Sequence, residues 1–339
     1  MQNIANNVAP LTPDIENLPT IMAEHYLLVD PNPRTFLEGT AFDLGGNCYI
    51  TMPRIGRLYK VTPDKRMSLI YEDKNLRPVA IAIHKDGRLF CTAEGIDVGQ
   101  LIYMNPDGSG VTKISPRFQG KPTFFNDLTF DAKGNIYVTD STGNSNNPSG
   151  GVYYYSEDLK SIKPVAWNLI APNGIALGPP GSGIRPVIAH DAKTESGLVV
   201  KAGTPLEVLW ITESGRGNLI HIEFVGTPEG PIYSDVAGFS NTYHFTGIYP
   251  CDGMKADSTG NVYVAVAGWG MILIFNKNGV PIAKALVPGQ NEGKGLIPTN
   301  LSFKPGTHEV YFVASGGPDG ANIWTFKGLA QGATLFSHQ

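Results

Sequence analysis

Short apolar runs with period-two alternation recur along the chain, each closed by a turn rich in Gly and Asp. CYITM (48–52), IYVTD (136–140) and VYVAV (262–266) have the pattern of β-strands. DLGGN (43–47), HKDGR (84–88), DAKGN (131–135) and DSTGN (257–261) supply the residues a hairpin turn needs. A further short strand precedes each turn: GTAFD, AIAIH, DLTFD, GIALG, GMKAD and NLSFK, ending at Asp43, His84, Asp131, Gly178, Asp257 and Lys304. These ends are 41, 47, 47, 79 and 47 residues apart. Four of the spacings match one four-stranded unit of a repeat array. The pattern predicts an all-β chain, a six-bladed β-propeller with four-stranded antiparallel blades around a central channel.

The spacing of 79 places an insertion at about 179–207, either a hairpin or lid over one face of the disc or an enlarged surface loop. Residues 1–30 precede the repeat as an N-terminal extension, and 31–339 form a single propeller domain. LTPDIENLPTIMAEH (11–25) predicts a short helix, and a segment near the terminus is available to close the ring on the last blade.

Composition adds limits. The 40 Gly and 26 Pro of the 339 residues suit many short strands and turns. A net charge of -4 without a long basic run argues against nucleic-acid binding. No apolar run reaches the roughly 18 residues of a membrane span, and the N-terminus has no leader pattern, so a cytoplasmic protein without a membrane partner is expected. Cys48, Cys91 and Cys251 fit no zinc or redox spacing, and the first two read as core.

Five residues before each inner-strand end stand Glu38, Val79, Asn126, Asn173, Asp252 and Thr299. In a propeller these equivalent positions surround one opening of the channel, although Glu38 and Asp252 are more than 200 residues apart. Four of the six carry a carboxylate or carboxamide, a donor set suited to a hard divalent cation such as Ca2+. Mg2+, Mn2+ and Zn2+ are kept as alternatives. Two carboxylates in a partly dry channel would repel one another without a cation.

These residues, with IHKDGRLF (83–90), NDLTFDAKGNIYVTD (126–140), PNGIAL (172–177) and LIFNKNGVPIAKALVPGQNEG (273–293), resemble the gluconolactonase, senescence-marker-protein and luciferin-regenerating-enzyme family, and within it the drug-responsive staphylococcal lactonases. The resemblance implies a six-bladed propeller with metal ligands at Glu38, Asn173 and Asp252. It also implies a catalytic position at Asn126, which is Asn in sugar-lactone members and Asp in the staphylococcal type. Strand alternation turns Asp127 away from its neighbour, as a structural or second-ion ligand. Sugar-lactone members tend to carry Arg where Phe124 stands. With Phe125, His244, Phe245, Trp269 and Thr299 as further substrate-binding candidates, the mouth reads as aromatic.

The leading expectation is a metal-dependent hydrolase that opens a lactone or related cyclic ester of apolar or aromatic character. Asp252 serves as ligand and base, and Asn126 orients water or substrate. Another reaction of a carbonyl compound at the same cation, such as isomerisation or carbon–carbon ring opening, and a non-catalytic binding propeller are the alternatives. No G-x-S-x-G elbow is present, and no His partner is placed for Cys251.

Overall fold

In a computed structural model of the chain, residues 11–95, 99–227, 229–233, 239–248 and 250–339 are described. The inner strands of the six blades are Thr40–Phe42, Arg77–Ile83, Phe125–Phe130, Pro172–Gly178, Cys251–Ala256 and Ile297–Phe303. Each begins an antiparallel sheet whose strands follow one another outward. The strands pack in six apolar clusters, one between each pair of neighbouring blades. Leu58 shares a cluster with Ile81, Phe90 with Leu128, Val152 with Ile175, Trp210 with Met254, Tyr263 with Leu301, and Ile323 with Ile50. A blade is therefore buried on both faces, which is why all five residues of CYITM, IYVTD and VYVAV are buried despite their alternation.

The turns explain themselves chemically. Asp43, Asp131 and Asp257 each accept from the backbone N–H and the carboxamide of the Asn four residues on. The Gly before that Asn adopts φ of +79°, +88° or +87°, which a Cβ would strain. The Tyr49 and Tyr263 hydroxyls donate to the same carboxylates, at 3.0 and 3.1 Å.

Ring closure uses the N-terminal segment. Glu24–Asp30 pairs antiparallel with Ala321–Lys327 as the outermost strand of the sixth blade, and Thr20–Met22 pairs parallel with Pro281–Leu286 of the fifth. The boundary expected at residue 31 is thus no break in the sheet: its residues 20–30 belong to the propeller. The short helix is Pro13–Glu16, and the buried Lys284 amine ties it down by donating to the Ile15, Glu16 and Leu18 carbonyls at 3.0, 3.0 and 2.8 Å.

The insertion contains a small hairpin, Ala192–Lys193 with Val199–Val200. It leaves the fourth blade after Gly178, at the end of the inner strand remote from Asn173, and packs Ile188, Val200 and Leu206 against Val225. It therefore lies at the face opposite the ring positions and cannot cover them. At that lower face the last residues cross the channel end, where Leu335 and His338 line a small cavity with Lys255 and Ser302. Phe336 is buried against His84 and Phe130. No helix among the described residues is long and apolar enough to cross a membrane.

Candidate functional site

The ring positions are shaped by a repeated irregularity. In the second blade the pairing jumps from Pro78–Ala93 to Ile81–Cys91, so that Val79 and Ala80 together face Thr92. The same β-bulge sets Asn126 and Asp127 against Thr139, Asn173 and Gly174 against Thr212, and Asp252 and Gly253 against Ala265. A bulge inserts one residue into the pleat and re-aims its side chains. At this bulge Asn126 and Asp127 both stand opposite Thr139, Asn126 half-buried and Asp127 buried.

The opposing threonines fix the bulges and link the blades. The Thr92, Thr139 and Thr212 hydroxyls accept the backbone N–H of Ala80, Asp127 and Gly174, at 3.0, 2.9 and 2.7 Å. Each also donates to the carbonyl of the next blade's ring residue: Thr92 to Asn126, Thr139 to Asn173 at 2.6 Å, and Thr212 to Asp252 at 2.8 Å. Thr51 does the same to Val79. These threonines were not singled out in the sequence. Thr51, Thr92 and Thr139 stand eight residues after the inner-strand ends Asp43, His84 and Asp131, and that register is the signal by which they could be found; the insertion displaces Thr212 from it.

Glu38 is buried at 6% exposure and Asp127 at 1%, while Asn126, Asn173 and Asp252 are half-buried. The carboxyl groups of Glu38, Asp127 and Asp252 share one electrostatic environment. Burial pushes Glu38 well above the usual carboxylate range, and the Asp252 and Asp127 charges add to the effect. Asp252 is raised to about 7, mainly by burial, against the lowering influence of the Gly253 N–H bond, and Asp127 raises it further. The Asn173 side chain lowers it. Burial raises Asp127 as well, but the Lys255 ammonium, 3.9 Å away, and the N–H groups of Leu128 and Ile175 oppose it.

The remaining candidates separate. Phe125 and Phe245 are core residues, 1% and 2% exposed, and the substrate contact expected of them is not available in this structure. Thr299 is fully buried and ties its blade to the first by donating to the Leu37 carbonyl at 2.9 Å. Phe124 is half-buried beside the third blade, with its N–H on Asp140. Trp269 is half-buried against the core of the fifth blade, and Gln290 donates to its carbonyl at 2.6 Å. His244 is exposed and 3.3 Å from the Asn218 side chain, part of the edge strand Ser240–His244. Cys251 is buried, and burial pushes its thiol up, opposite to what a nucleophile needs.

Among the described residues no three His, Cys, Asp or Glu side chains alone could hold a metal ion. The candidate set of Glu38, Asp252 and Asn173 instead combines two carboxylates with a carboxamide. Oxygen donors in a buried site, with carboxylates whose ionised forms are disfavoured as they stand, fit a hard divalent cation.

The family model described as "SMP-30/Gluconolactonase/LRE-like region" matches residues 54–184. Lactonase drp35 of Staphylococcus saprophyticus is 35% identical over 332 residues, which cover 96% of this chain and 93% of that protein. Among solved structures, a calcium-binding protein, regucalcin, from Agrobacterium tumefaciens superposes with a TM-score of 0.67 at 15% identity, over 92% of this chain and 98% of that one. A luciferin-regenerating enzyme superposes with a TM-score of 0.66 at 15% identity, over 93% and 98%. At that identity the two structures share the fold.

Proposed function

Because the chain belongs to the SMP-30/gluconolactonase/LRE-like family, we propose that it is a metal-dependent hydrolase opening a lactone or related cyclic ester. The observation that carries this reading is the pairing of buried Glu38 and half-buried Asp252 at one ring, each with its charged form disfavoured by desolvation and by neighbouring carboxylates. Glu38, Asn173 and Asp252 would hold the cation, and donors of oxygen alone favour Ca2+. When bound, the cation supplies Lewis-acid polarisation of the ester carbonyl and of the charge that develops on it.

The protein's own groups do the rest. The Gly253 N–H, 3.0 Å from Asp252 Oδ1, holds the Asp252 carboxylate in one orientation. It is thereby placed to take a proton from an attacking water. The Asn126 carboxamide, on the neighbouring bulge but one, offers a donor and an acceptor to orient water or ester. Asp127 is engaged by Lys255 and two backbone N–H groups, so it serves the site's electrostatics rather than substrate. Phe124, in place of a hydroxyl-gripping cation, and Trp269 support a small substrate of apolar or aromatic character.

A panel of aromatic, alkyl and sugar lactones tests the proposal, with and without chelation. Turnover is expected on the aromatic or alkyl members, with loss on chelation and recovery with Ca2+. Asp252→Asn should lower kcat/KM by about 100-fold or more. Turnover that survives chelation would sink the metal reading, and no turnover on any lactone would sink the hydrolase reading.

A further inference from the structure

Directly below the ring lies a second layer, formed by the residue after each ring position: Gly39, Ala80, Asp127, Gly174, Gly253 and Asn300. The inner strands approach closely here. A Cβ at Gly39, Gly174 or Gly253 would lie 2.6, 2.4 or 2.5 Å from an atom of the adjacent strand. The polar side chains of this layer are thus Asp127 and Asn300, held in a space that glycines keep narrow.

Their contacts are directional. Asn300 Oδ1 accepts the Leu301 N–H at 2.9 Å, and the Asn300 side chain lowers the pKa of Glu38 and of Asp127. Asp127 accepts from Leu128 at 2.8 Å and from Ile175 of the next blade at 3.3 Å. From the lower side, the Lys255 ammonium stands 3.9 Å from Asp127 Oδ2, with its side chain 15% exposed. The ion-paired carboxylate of Lys255 is Asp127.

With all groups ionised, the carboxylates of Glu38, Asp127 and Asp252 against the single Lys255 ammonium leave two net negative charges on the axis. A buried net charge is costly unless matched. A divalent ion would cancel it, whereas a trivalent ion would leave an excess positive charge. We propose that Lys255 is a positioning residue of the axial centre: it cancels the Asp127 charge and so tunes the site to divalent ions. This rests on the cation reading above.

The test compares Ca2+ and Tb3+ affinities of the purified full chain by calorimetry, with circular dichroism as the check on folding. Lys255→Met should raise Tb3+ affinity relative to Ca2+ by about tenfold or more. Lys255→Arg should keep the wild-type ratio, and the Asp127→Asn, Lys255→Met double variant should restore it. Asp127→Asn alone should move the ratio the other way, and this arm stands even where Lys255→Met does not fold. An unchanged ratio in Lys255→Met and in Asp127→Asn overturns the inference while wild-type Ca2+ binding stands. No Ca2+ binding by the wild type overturns the cation reading beneath it.

Discussion

Asp252 shows at the scale of one residue how burial becomes a pH dependence. Its folded pKa is raised to about 7 from an ordinary 3.8, with burial as the largest cause. Between those values the metal-free folded protein holds a proton that the unfolded chain has released. Stability contributed by this group is therefore complete below about pH 4 and is lost as pH rises through about 7. The chelated protein should melt at a lower temperature at pH 8 than at pH 5.5 on this account, and Ca2+ should recover the loss at pH 8. A chelated melting temperature that rises from pH 5.5 to pH 8 would contradict it. Glu38 and Asp252 were legible as a pair because one offset from the repeat finds both. The bulge at Asn126 and Asp127 was not legible in the same way, because it is set by pairing with Thr139 across the sheet.

At the scale of elements, the N-terminal strands are held by one side chain. Lys284 is 2% exposed, and its amine caps three carbonyls at the end of the helix Pro13–Glu16. Burial lowers its pKa, so the ammonium depends on those acceptors. Lys284→Met keeps the volume and removes the donors. It should destabilise the fold by about 2–4 kcal/mol in denaturant titration, because bonds to a charged donor are worth more than neutral ones and three carbonyls, that of Ile15 buried, lose a partner. Early proteolytic cleavage before Glu24 is expected to accompany it, and a wild-type unfolding midpoint would refute the role. Sequence suggested that this segment joins the ring, but not that it adds strands to two different blades, which depends on where the free edges lie.

At the scale of the whole molecule, the disc has two unlike faces. The ring of Glu38, Asn126, Asn173 and Asp252 opens at one, while the insertion and the residues around Phe336 gather at the other. Phe336 packs against His84 at 4.8 Å and Phe130 at 5.6 Å between ring centroids, pinning the segment to the second and third blades. Phe336→Ala should cost about 3–5 kcal/mol of stability. Ca2+ affinity should stay close to wild type, since the substitution lies at the far end of the channel. Equal loss of both would mean that the two faces are coupled.

The sequence by itself determined the architecture and the register. Six copies of one strand–turn–strand phrase fix the number of blades, because each sheet can bury its two faces only against copies of itself. The shared offset likewise marks which residues meet at the axis. The tertiary structure decided what those residues face. Bulges opposite Thr92, Thr139 and Thr212 arise from pairing within a blade, and the close approach of strands at the glycines and the Lys255 ammonium beneath Asp127 arise from contacts between blades. It also moved Phe125 and Phe245 from the mouth to the core, because an aromatic side chain reads alike in a strand whether it turns inward to a neighbouring blade or outward to a substrate.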